Sequence, residues 1–194
     1  IPYKELNNFS KDVQLTSEQS RAIQSVINTE KRVTLLFGVT GSGKTEVYLR
    51  LINETLKKGR TAIMLVPEIA LTPQMLGQLR ARFEGSVSIL HSGLSAGERY
   101  DEWLKLKTGE SKIAIGARSA IFAPLENVGI IIVDEEHDSS YDAETSPRYK
   151  TVEIAIKRAA ETGAKVVLGS ATPSIESYDK ALSGEYNLAE MKTR

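Results

Sequence analysis

Short apolar runs punctuate this chain at residues 33–37, 62–66, 87–90, 113–115, 128–133 and 166–168. None keeps a strict polar–apolar alternation, so each predicts a strand covered on both faces. Between them, apolar residues recur every three or four positions. That spacing predicts helices from Thr16 onward, after residue 44, and over 74–83, 95–107, 151–161 and 175–182. Strands separated by helices predict an α/β lobe with a mostly parallel sheet and helices on both faces.

Several helix ends are legible. Thr16 can cap the first helix and Gln19 can close a capping box, with Ala22, Ile23, Val26 and Ile27 forming one apolar stripe. Lys57, Lys58 and Gly59 read as a helix stop. Thr172 reads as the N-cap of the last helix, with Pro173 at its first position. Trp103 lies with Tyr100 and Leu104 at helical spacing, in a helix that Ser95 and Glu98 could cap. That placement predicts packing rather than base stacking. Residues 1–14 show no period and read as a linker; residues 15–194 read as one lobe.

The chemistry begins where the first run ends. Gly38, Val39, Thr40, Gly41, Ser42, Gly43, Lys44 and Thr45 stand between a predicted strand and a predicted helix. Glycines there let successive N–H groups curl around a polyphosphate, and the helix adds the positive end of its dipole. Lys44 can neutralise the outer phosphates, and the Thr45 hydroxyl can serve a magnesium ion. The expected cofactors are therefore ATP and Mg2+. Gln19, shortly before the loop, has two readings: a helix cap, or an amide for one edge of adenine.

A second acidic site follows the run 130–133. Asp134 would emerge at a strand end beside the loop and hold magnesium through water, while Glu135 could orient or deprotonate the attacking water. With Lys44 these form the expected catalytic set. Glu136 and His137 are left to finish the turn or to relay the nucleotide state. Ser170 and Thr172, after the last run, could sense the phosphates from the neighbouring turn.

Composition narrows the rest. The 194 residues carry 25 Lys+Arg and 25 Asp+Glu, so no basic surface announces a nucleic acid. Cysteine is absent and only two histidines occur, which excludes disulfides and thiolate zinc sites. No apolar run of about 20 residues is present, so a soluble, cytoplasmic protein without a membrane partner is expected.

Gly-Ser-Gly-Lys-Thr at 41–45, Asp-Glu-Glu-His at 134–137 and Ser-Ala-Thr at 170–172 resemble motifs I, II and III of superfamily 2 helicases, in their first RecA-like lobe. The segments 66–72, 90–95, 116–124, 138–141 and 147–149 narrow the resemblance to the PriA family of bacterial replication-restart helicases, across about residues 15–180. The resemblance implies a DNA-dependent ATPase moving 3′ to 5′ on single-stranded or forked DNA. It implies DNA contacts at Pro67, Glu68, Thr72, Arg118 and Ser119, and an aromatic-rich loop carrying Tyr141, Arg148 and Tyr149. Asp142 departs from the basic residue usual in that loop.

It further implies a second helicase lobe and an N-terminal DNA-binding domain, neither found in this sequence, together with primosome proteins and single-stranded-DNA-binding protein as partners. Two other classes compete: a nucleotide-switched binding module, and a P-loop small-molecule kinase, for which no acceptor pocket or arginine-rich lid is visible.

Overall fold

The computed structural model describes residues 14–83, 85–143 and 146–193. The expected linker therefore lies almost wholly outside the described residues. Seven strands form one sheet: β1 (Val33–Gly38), β2 (Thr61–Leu65), β3 (Val87–Leu90), β4 (Ile113–Gly116), β5 (Val128–Asp134), β6 (Lys165–Ser170) and β7 (Asn187–Met191). Their order is β3-β4-β2-β5-β6-β1-β7 and every pairing is parallel. Among the described residues six α-helices accompany them, α1 (Ser17–Asn28) before β1 and the others between strands: α2 (Lys44–Lys57), α3 (Pro73–Phe83), α4 (Ala96–Thr108), α5 (Thr151–Thr162) and α6 (Ile175–Leu182).

The pleat explains why the strands read as unbroken apolar runs. In β2, Ala62 and Met64 pack with α1, α2 and α3, while Ile63 and Leu65 face the other layer with α5 and α6. Both faces of each central strand are core, so no polar position is left to mark the alternation.

Three readings are corrected. β7 carries no continuous apolar run, yet it pairs with β1 at the sheet edge; only Ala189 and Met191 are buried. Thr172 does not cap α6. The Ser174 hydroxyl does so by accepting from Ser177 N, because the buried Glu136 carboxylate accepts the Ser174 N–H at 2.7 Å and fixes that residue. Trp103 is not packed into the core: it is 41% exposed and stacks beside Tyr100 at 6.4 Å. The helix turns Leu106 inward instead, and Glu102 accepts Ile89 N from β3, so the Tyr100–Trp103–Leu104 face points outward.

Candidate functional site

The loop joining β1 to α2 turns on two glycines, Gly41 at φ +81° and Gly43 at φ +82°. A side chain is strained in that conformation, and a Cβ on Gly43 would also stand 2.3 Å from Gln19 Nε2. Gln19 closes the capping box by accepting Thr16 N at 2.8 Å, and its Nε2 donates to Gly43 O at 3.3 Å. Both ends of its amide thus hold the helix start against the loop.

α2 begins at Lys44. Its Nζ is buried, donates to Gly38 O at 2.9 Å and lies 3.7 Å from Glu135 Oε1. Thr45, beside it, is exposed at the helix start. Val39 N donates to Met191 O and Ser42 N to Val39 O, tying the loop to β7 and to itself.

Strand order delivers the acidic residues to the same place. β6 separates β5 from β1, with Asp134 level with Gly169 and Phe37 level with Ser170, so all three strands end side by side. Burial pushes the Asp134 carboxyl upward and the nearby Glu135 adds to this; a hydrogen bond from Tyr48 and the Lys44 charge act against it. Glu135 then takes φ +47°, a backbone uncommon outside glycine, which turns the chain out of the strand at the site.

Glu136 is buried and accepts from Ser174 N, Ser174 Oγ and Ser177 Oγ, so it anchors α6. His137 bridges two turns: Nδ1 lies 2.9 Å from Ser170 Oγ and Nε2 3.3 Å from Thr172 Oγ1. The same ring is 3.8 Å from Glu135. His137, Ser170 and Thr172 therefore form one polar chain leading from the acidic strand end.

Of the residues expected to meet DNA, Glu68, Arg118, Ser119 and Tyr149 line one open groove of about 640 Å3, with Arg99, Trp103 and Phe122. Arg118 donates to Ser140 O and Asp142 O and lies 5.8 Å from the Tyr149 ring centre. Pro67 is buried, while Thr72 and Arg148 are exposed outside that lining. Tyr141 is corrected: it is 2% exposed and packed in the apolar cluster on the α5 side of the sheet, so its ring has no free face for a base, and its hydroxyl donates to Asp134 O at 2.8 Å.

Sequence reasoning missed Tyr48. Its hydroxyl donates to Asp134 Oδ1 at 2.8 Å, and its place one turn after Thr45 on α2 was the available signal.

The residues fit a magnesium–nucleotide. The Ser42 hydroxyl is buried without a hydrogen-bond partner among the described residues, and the first N–H groups of α2 have no intrahelical acceptor. Among the described residues no group of three or more His, Cys, Asp or Glu could cage a metal. Thr45 and Asp134 instead offer two hard oxygen ligands, the sparse set that suits magnesium shared with phosphates.

An all-parallel sheet with a phosphate loop on β1 and an acidic end on β5 defines a RecA-like P-loop NTPase lobe. The chain belongs to the DEAD/DEAH box helicase family, whose model matches residues 16–181. It is 55% identical over 184 residues to the replication restart protein PriA of Bacillus subtilis, covering 93% of this chain and 23% of that protein. PriA of Haemophilus influenzae is 44% identical over 180 residues, 92% of this chain and 25% of the relative. The chain thus spans about a quarter of the length of these curated relatives.

Solved structures agree on the fold. RecG bound to a three-way DNA junction aligns at a TM-score of 0.67 and 24% identity, over 94% of this chain and 24% of that one. A hypothetical ATP-dependent RNA helicase from Sulfolobus tokodaii aligns at 0.66 and 18%, over 94% and 54%.

Proposed function

We propose that this chain is the ATP-binding lobe of a PriA-type, ATP-dependent 3′ to 5′ DNA helicase that couples ATP hydrolysis to translocation on single-stranded DNA during replication restart. The observation that carries this reading is the approach of Lys44 to Glu135 at 3.7 Å, which joins the phosphate loop and the acidic strand end into one site. The identity to PriA proteins over nearly the whole chain supports the restart role.

In this site Lys44 and the loop N–H groups bind the outer phosphates of ATP, Thr45 and Asp134 hold the magnesium, and Glu135 orients and deprotonates the attacking water. Magnesium, when bound, would offset charge on the phosphate oxygens. Gln19 serves the adenine edge in addition to propping the loop. Glu136, His137, Ser170 and Thr172 report nucleotide state to the rest of the motor.

DNA would pass the groove lined by Glu68, Arg118, Ser119 and Tyr149, with the exposed Thr72 and Arg148 offering further contacts outside that lining. Full turnover requires the second helicase lobe, and the lobe alone hydrolyses little ATP. An N-terminal DNA-binding domain, primosome proteins and single-stranded-DNA-binding protein complete the cytoplasmic assembly.

The test is ATPase activity of the intact protein with and without single-stranded or forked DNA, alongside displacement of strands from 3′- and 5′-tailed duplexes. Strong DNA stimulation with 3′ to 5′ polarity supports the reading. ATPase indifferent to DNA contradicts it.

A further inference from the structure

Tyr48 follows Lys44 by four residues and Thr45 by three, so it lies on the same side of α2 as the two residues that would meet the nucleotide. Its ring is wholly buried. A phenylalanine would fill that space equally well; a buried hydroxyl costs stability unless it is bonded. Among the described residues this hydroxyl donates to Asp134 Oδ1, at 2.8 Å.

Its surroundings are shaped for that bond. A Cβ on Gly169 would fall 1.7 Å from the Tyr48 Oη, so β6 carries a residue without a side chain where the phenol passes. Gly169 is also the register partner of Asp134. On the main chain, Tyr141 Oη donates to Asp134 O at 2.8 Å. Asp134 is thereby held twice, once by its carboxylate and once by its backbone.

We propose that Tyr48 is a positioning residue for the magnesium site: it occupies one carboxylate oxygen of Asp134, fixes the rotamer and leaves the other oxygen for the hydrated ion. The proposal rests on the nucleotide-site reading given above. It makes α2 a single rigid part, with phosphate contacts at its first turn and the aim of the metal carboxylate set one turn later.

The experiment uses the intact protein, wild type and Tyr48→Phe. Binding of a fluorescent ADP is measured in EDTA and then over a magnesium titration, with a thermal melt of each protein. The expected result is nucleotide affinity in EDTA within about twofold, a melt lowered by no more than a few degrees, and a magnesium half-saturation raised on the order of tenfold, as for other residues that orient metal ligands. An unchanged magnesium requirement overturns the proposal. So does an equal loss of affinity in EDTA, which would make the hydroxyl a support of the fold.

Should the variant not fold, 3-fluorotyrosine placed site-specifically at position 48 gives a second measurement. Its fluorine resonance should shift when magnesium joins bound ADP, and a resonance that stays put overturns the proposal. Wild-type protein that binds no nucleotide with or without magnesium refutes the nucleotide-site reading itself, a result distinguishable from failure of Tyr48 alone.

Discussion

His137 Nδ1 lies 2.9 Å from Ser170 Oγ, joining the turn after β5 to the turn after β6. The ring also reaches Thr172 and approaches Glu135, so a movement of the acidic strand end must be felt beyond β6. His137→Ala in the intact protein is expected to keep basal ATPase within a few-fold while reducing its stimulation by DNA at least tenfold. Steady-state rates with and without a single-stranded oligonucleotide check this. Equal loss of both rates would make His137 part of the chemistry instead.

Gly43 combines positive φ with a close neighbour in Gln19. Gly43→Ala is expected to cost roughly 1–3 kcal/mol of stability through backbone strain and to abolish tight nucleotide binding. Chemical denaturation and nucleotide titration measure the two effects separately.

Glu46 holds α2 to α3. Its carboxylate accepts from Arg82 through both oxygens at 2.7 Å and from Arg50 at 2.8 Å. Burial alone would push the carboxyl up, but the two guanidinium partners outweigh it and leave it below its ordinary value of 4.5. The sign follows: a depressed folded value contributes stability that is fully present above pH 4.5 and lost as pH falls through the folded value. Glu46→Gln should therefore lower stability by about 1–3 kcal/mol near neutral pH. The gap from wild type should close as the medium is acidified below 4.5, as denaturation at a series of pH values would show.

Glu136 accepts three hydrogen bonds from the start of α6 while almost fully buried. Glu136→Ala leaves Ser174 and Ser177 without their acceptor, and the expected cost is about 2–4 kcal/mol. Denaturant unfolding checks the magnitude, and hydrogen exchange should show the loss concentrated in α6.

The parts of this lobe that were legible in the sequence are those fixed by local rules. Runs buried on both faces announced six strands, and the Thr16–Gln19 and Ser95–Glu98 boxes set two helix starts as expected. What was not legible depends on a distant partner. β7 gains its place by pairing with β1 and offers only two buried residues of its own. Ser174 rather than Thr172 caps α6 because Glu136, far away in sequence, claims its N–H. Tyr48 sits inside the helix expected after residue 44 and Tyr141 in the aromatic-rich loop, and neither position shows that both end on Asp134. Trp103 obeyed helical spacing, but spacing does not say which face of α4 meets the sheet.

The central claim is that the loop after β1 and the acidic end of β5 act on one nucleotide. Glu135 lies 3.7 Å from Lys44 across that site, and in the proposed function it activates water. Glu135→Gln in the intact protein, assayed for ATP binding and for single-turnover hydrolysis, tests this most directly. The account predicts binding within a few-fold of wild type and hydrolysis slowed by a factor on the order of 100 or more. Hydrolysis at the wild-type rate would contradict it.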